Sequence, residues 1–402
     1  MRICLLTNKT PWPENRGGIT ALEYNLIKYR PDSVDIDIIS FNFNHFSEED
    51  VQRMRDDLKC SIKIVDLSWW NRILHGSSVF TRFFIWVVPL PHFTFLSIPK
   101  WVVNEVRSEK YDVVWLYPHI WAKLAWELST QKFVITSPDC ESLNKIRRMS
   151  DPVFMNGFFS SLHSWVYQRQ DIRLEKRLNQ PNILMHYVGL NDKLFYERHT
   201  KAKNAFWVEH PHYEVREKKI GFTEKKLRVL IPGEYNFFMK TDIDFMVDDF
   251  VKRANELHDK ISIVFLGKKW ESVSEILIKA GFECKHKKWV DNYIEEIVKY
   301  DVQITPISNG AGTKAKVLDA LANGLLVIAS DCAAENIRVN NSESILIYRT
   351  PHQIAPMLED VFSNRKHYEG VAEKGRELVL KFHNPNRVSN YFFNIIKSRF
   401  SI

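Results

Sequence analysis

The chain has 402 residues, 45% hydrophobic and 26% charged, with 14 glycines and 16 prolines; this excludes a disordered or collagen-like polymer and leaves length for two domains of about 150–200 residues each. A formal net charge of +7 suits an anionic ligand or a membrane surface, and no nucleic-acid-binding motif accompanies it. Five scattered cysteines without a CxxC pair argue against a disulfide framework or a zinc site and for a reducing compartment.

In chain order, apolar strand-like runs alternate with helix-like segments, the rhythm of parallel sheets built from βαβ units, so the predicted fold class is α/β. The opening run Arg2–Thr7 lacks the apolar core and cleavage site of a signal peptide, and a cytoplasmic location is expected. Gly17 and Gly18 follow it and precede an amphipathic helix from Ile19 to Tyr29, where backbone can approach a ligand closely. Further strands are predicted at Val34–Ser40 and Ile62–Leu67.

The stretch Trp69 to Trp101 then holds nine aromatic residues with Arg72, Arg82 and Lys100 among them. Pro89 and Pro91 break it, so it is not read as a transmembrane helix. Core, dimer interface and interfacial docking on anionic lipid all fit its composition.

Strands follow at Tyr111–Leu116 and Phe133–Ser137. His119 and Asp139 come just past their carboxyl ends, the rim where open α/β sheets bind ligands. Asp139 in Ser-Pro-Asp is also good turn chemistry. Strands at Ile183–Val188 and Ala205–Val208 complete a first domain, 1–213. A charged stretch, 214–226, marks the boundary, and a second domain is predicted over 214–384 with strands at Leu227–Ile231, Ile261–Leu266, Val302–Ile307 and Leu325–Ala329.

The sharpest segment is Asp301 to Ser330, which reads strand, Gly-rich turn, helix, strand. Thr313 is the expected N-cap, Val317, Leu318 and Leu321 the buried face, and Asn323-Gly324 the stop. Lys314 and Lys316 would then occupy the first helical turn, where cations oppose the helix dipole by about 0.3–1 kcal/mol each. An anion would offset that, and amides around Gly310, Ala311 and Gly312 would join the lysines in a phosphate pocket. Asp319 lies one turn on from Lys316, as a partner for it or an acceptor for two ribose hydroxyls.

From Gly310 to Ala329 the sequence resembles the nucleotide-sugar signature of GT-B glycosyltransferases, especially the retaining, GT4-like group 1 transferases. Gly17-Gly18, His119, and Gly233 followed seven residues later by Lys240 stand in the order that family uses. The resemblance implies two Rossmann-like domains facing each other across a cleft, with the helix Pro385–Phe400 returning to an acceptor-binding first domain, so that 385–402 belongs with 1–213. It implies sugar transfer from a nucleoside-diphosphate sugar to a glycan or lipid-linked acceptor, with retention, in bacterial surface polysaccharide or glycoconjugate synthesis. No cofactor or metal is expected, and no protein nucleophile: the departing phosphate takes the acceptor proton.

The resemblance assigns catalytic roles to His119, Lys240 and Lys314, and substrate contacts to Gly17, Gly18, Asp139, Gly310, Ala311, Gly312, Thr313, Lys316, Asp319 and Trp289, the last in the loop that contacts the base. Two positions depart from the pattern: Ala311 stands where the family has Glu, and Glu234 where it has Arg. Asp35-x-Asp37 and Asp242-x-Asp244 match the metal-holding triplet of another transferase fold, but their placement on a strand face and in a helix's first turn explains them without a metal. His210-x-His212 has no accompanying ligands. A sugar-nucleotide epimerase of the same architecture, or a non-catalytic nucleotide-sugar-binding surface protein, are the alternatives.

Overall fold

The computed structural model describes residues 1–14, 19–66, 68–76, 86–150, 158–212, 214–216 and 221–402. Gly17, Gly18, Phe80, Arg82, Phe83 and Phe84 lie outside these. The described residues form two compact units, one from 1–150, 158–212 and 385–402, the other from 214–384.

The first unit holds a seven-stranded, all-parallel sheet of β1 (Arg2–Thr7), β2 (Asp35–Ser40), β3 (Ser61–Ile64), β4 (Val113–Tyr117), β5 (Phe133–Thr136), β6 (Ile183–Tyr187) and β7 (Ala205–Trp207). Its order is β3-β2-β1-β4-β5-β6-β7. The central strands β4, β5 and β6 are buried at every position, as expected where helices cover both faces. The helix Pro385–Phe400 closes this unit: Phe392 and Phe393 pack on Trp115 with ring centroids 5.1 and 6.2 Å away. Ser389 Oγ donates to the Leu26 carbonyl at 2.7 Å.

The second unit holds a six-stranded parallel sheet of β8 (Leu227–Pro232), β9 (Ile261–Leu266), β10 (Glu283–Lys287), β11 (Val302–Thr305), β12 (Leu326–Ser330) and β13 (Leu346–Tyr348), in the order β10-β9-β8-β11-β12-β13. The strand order reverses between β1 and β4 in the first sheet and between β8 and β11 in the second. At such switch points the loops beyond the strands' carboxyl ends diverge and leave a crevice for a ligand.

The two edge strands β10 and β13 were not predicted. The first reads Glu-Cys-Lys-His-Lys, with no apolar run, and the second has three residues. The helix expected near Asp242 begins earlier, at Phe237, where Asn236 caps it by accepting from the Phe238 amide.

Candidate functional site

In the second unit the sequence motif lies at the β8/β11 switch point. β8 ends at Gly233, whose φ of 118° only glycine adopts readily. Its amide donates to the Leu266 carbonyl at 2.7 Å, and its carbonyl accepts the Trp270 indole N–H at 2.6 Å. A side chain here has no room: a Cβ would stand 2.8 Å from Lys316 Nζ. The neighbouring Gly267 is equally constrained, since its Cβ would meet the Gly233 carbonyl oxygen at 2.1 Å. Trp270 and Gly267 therefore set the Gly233 turn, and neither was singled out from sequence, because they reach it across β9.

Beyond β11 the chain runs through Gly310 (φ 119°) and Gly312 (φ 70°). The Ser308 amide donates to the Phe238 carbonyl at 2.9 Å, and Asn309 Oδ1 takes the Gly310 amide at 2.7 Å, so that amide is engaged inside the turn. The helix Ala315–Ala322 starts one residue later than expected, with Lys314 as its N-cap residue instead of Thr313. The Lys314 side chain folds back so that Nζ donates to the Ala311 and Gly312 carbonyls at 2.6 and 3.3 Å. Lys314 thus clamps the Gly-rich turn, while Lys316 alone projects from the first helical turn.

Lys316 is half-buried against Gly233. Burial holds its pKa below the ordinary lysine value, with Asp319 and Glu234 pulling the other way. Asp319 is buried one turn further on, and the Asn323 side chain donates to its carbonyl at 2.8 Å. Gln303, buried on β11, donates to the Lys316 carbonyl at 3.0 Å and fixes this first turn to the sheet. Glu234, at the family's Arg position, is paired with Lys269 at 2.5 Å.

Lys240 lies exposed on the helix Phe237–Lys252 with its ammonium on Asp244 at 2.5 Å. Trp289 is 78% exposed beyond β10. Neither Asp-x-Asp pair converges on a point: Asp37 is held by Arg2 and Tyr111, Asp242 accepts the Tyr348 hydroxyl inside the core at 2.5 Å, and Asp244 faces Lys240 and Tyr235. Among the described residues no group of three His, Cys, Asp or Glu side chains stands close enough to hold a metal ion.

In the first unit a cavity of about 440 Å³ lies at the β1/β4 switch point. Asn8 and Lys9 enter it from the end of β1, Pro118 and His119 from β4, and Asp139 from β5. The hydrogen bonds fix the His119 tautomer. Ser137 Oγ donates its one proton to the Asp139 carbonyl at 2.6 Å, so towards His119 Nδ1, 3.1 Å away, it acts as acceptor and Nδ1 carries the hydrogen. Burial pushes the His119 pKa down, which keeps the ring neutral and leaves Nε2 as a lone-pair acceptor. Phe93 meets the ring edge-on at 5.2 Å.

Two parallel sheets, each with a switch-point site, and a last helix that returns to the first unit define a GT-B fold. Solved structures of that fold superimpose over the whole chain: sucrose-phosphate synthase from Thermosynechococcus elongatus (TM-score 0.69, 11% identity, 100% of both chains), Anabaena Alr3699/HepE in complex with UDP (0.66, 9%, 99% of this chain and 100% of that one), and S. aureus TarM in complex with UDP, α-GlcNAc-glycerol and fondaparinux (0.66, 8%, 100% of both). No curated protein sequence matches the chain. Residues 226–364, which hold the Gly233 turn and the Gly310–Lys316 motif, match the family described as glycosyl transferases group 1.

Proposed function

We propose that the second unit binds a nucleoside-diphosphate sugar and that its sugar passes, with retention, to a glycan or lipid-linked acceptor held by the first unit, in bacterial surface polysaccharide or glycoconjugate synthesis. The observation that carries this reading is the Lys316 ammonium, half-buried against the Gly233 turn at the mouth of the β8/β11 switch point. Held there by Gln303 and by the turn that Lys314 clamps, it is a preorganised cation for a diphosphate, whose negative charge grows as the anomeric C–O bond breaks. Asp319 is the ribose acceptor in this reading. The departing phosphate oxygen takes the proton of the acceptor hydroxyl as that oxygen bonds to the anomeric carbon, so no protein nucleophile is required. That HepE was solved with UDP and with UDP-glucose, and TarM with UDP, supports a uridine nucleotide as the first donor to try.

The test is to incubate the protein with UDP-glucose, UDP-N-acetylglucosamine and GDP-mannose and a panel of glycosides, and to read the anomeric coupling of any product by NMR. A product with the donor's anomeric configuration is expected. An inverted product contradicts retention, and consumption of the donor to its 2-epimer without transfer favours an epimerase.

A cytoplasmic protein docked at the membrane surface fits the exposed Trp69, Trp86 and Trp101 of the aromatic stretch, with Lys100 beside them. Among the described residues no helix is long and apolar enough to cross a membrane. Cosedimentation with phosphatidylglycerol vesicles at low salt is expected; its absence in the wild-type protein contradicts docking.

A further inference from the structure

The helix Phe158–Arg177 sorts its charges by side. Both of its acids are turned into the protein: Asp171 is 4% and Glu175 6% exposed, and Glu175 accepts the Ser142 hydroxyl at 2.6 Å and faces His199 at 2.5 Å. Its cations do the reverse, and Arg169, Arg173, Lys176 and Arg177 are all exposed. Trp165, Arg169, Arg173 and Lys176 follow at i, i+4, i+8 and i+11, so they form one stripe about 16 Å long on the outer side. The Arg169 guanidinium lies over the exposed Trp165 ring, 3.9 Å from its centroid. Arg169 and Arg173 are like charges one turn apart, a destabilising arrangement, and among the described residues no carboxylate pairs with any of the four cations. An anion outside the protein would relieve it.

A second segment is built onto this side. Gln170 donates to the Val88 carbonyl at 2.8 Å and Arg173 to the Pro89 carbonyl at 3.3 Å, while Trp86 meets the His163 ring at 6.2 Å. These contacts hold Trp86 and Val87, 47% and 69% exposed, next to the stripe. Indole rings and an aliphatic side chain beside unpaired cations match the bilayer interface, where rings sit among the headgroups and cations meet lipid phosphates. A soluble polyanion would use the cations and leave Trp86 and Val87 in water. On its inner side the same helix, through Tyr167 and Asp171, lines the cavity at the β1/β4 switch point.

We propose that the outer side of the helix Phe158–Arg177, with Trp86 and Val87, is the face by which the protein lies on an anionic phospholipid membrane. Arg169, Arg173 and Lys176 take lipid phosphates, Trp86, Val87 and Trp165 enter the headgroup layer, and the cavity on the helix's inner side is held at the membrane surface. This rests on the docking reading for its partner and moves the contact from Trp69 and Trp101 to a helix that no sequence motif indicated.

Cosedimentation of the full chain with mixed phosphatidylglycerol and phosphatidylcholine vesicles tests it, with pure phosphatidylcholine vesicles as the neutral control and circular dichroism melts to establish that each variant folds. The wild-type protein should bind the anionic vesicles at low salt far better than the neutral ones and lose most of that binding as salt is raised. Arg169→Glu/Lys176→Glu should weaken binding by about tenfold or more, because each cation at an anionic surface is worth about fivefold. Trp69→Ser/Trp101→Ser should bind as the wild type does. A folded Arg169→Glu/Lys176→Glu variant that binds like the wild type overturns this face; if Trp69→Ser/Trp101→Ser then fails to bind, the docking reading survives on the aromatic stretch alone. A wild-type protein that ignores anionic vesicles overturns both, and its retention on heparin would assign the stripe to a soluble polyanion instead. Should the charge-reversed variant not fold, Arg169→Gln/Lys176→Gln decides in its place: a loss of about tenfold is expected, and unchanged binding overturns the proposal.

Discussion

Ser137 has one hydroxyl proton, and its direction towards the Asp139 carbonyl decides the state of His119 next to it. With Nδ1 protonated and the ring kept neutral by burial, His119 acts as an acceptor at Nε2, a role that suits orienting a sugar hydroxyl. His119→Ala should therefore cut turnover by at least tenfold with donor affinity changed less than twofold, as expected for contacts made only by the reacting centre. Equal losses in both would make His119 a donor-binding residue, and normal turnover a structural one. Local sequence revealed His119, Lys316 and Asp319 because each follows a strand or sits in one short motif. It concealed Trp270, Gly267 and Asp171, which meet the sites from other strands and helices and carry no local pattern. Lys314 was read as a ligand cation because spacing shows where a side chain starts and not that it curls back on its own turn.

At the scale of elements, every predicted strand is present, because fully buried parallel strands are continuous apolar runs. β10 was missed because it contains no apolar run, and β13 because its apolar run is only three residues long. The helix Pro385–Phe400 was expected from the family resemblance, but its anchor was not. Phe392 is fully buried among Trp115, His186 and Phe206, with ring centroids 5.1, 4.7 and 5.9 Å away. Phe392→Ala should destabilise the first unit by about 3–5 kcal/mol, the transfer and cavity cost of a deleted core ring. Urea unfolding followed by tryptophan fluorescence measures this; a loss below about 1 kcal/mol would mean that the last helix is not part of that unit's core.

The molecule as a whole buries histidines whose protonation is disfavoured while folded. Burial lowers His186 from the ordinary 6.5 to about 3 and His212 to about 4. As pH falls below 6.5 the unfolded chain binds protons that the folded chain refuses, so each histidine removes about 1.4 kcal/mol of stability per pH unit until its folded value is reached. Glu23 and Asp171 act in the opposite sense, since burial raises both and the folded chain keeps their protons. Comparison with a variant isolates one contribution: between pH 6.5 and 5, wild-type stability should fall more steeply than that of His186→Gln by about 1 kcal/mol per unit on average. Parallel curves would mean that His186 is protonated in the folded state.

The measurement closest to the central claim is the thermal shift given by UDP, GDP and their sugars to the wild-type protein and to the Lys314→Ala/Lys316→Ala double variant. A ligand that binds only the folded state raises the melting temperature with its concentration. At least one nucleoside diphosphate should stabilise the wild type in this way and leave the folded double variant unmoved. Equal stabilisation of both proteins would contradict a diphosphate site built on the Gly233 and Gly310–Lys316 turns.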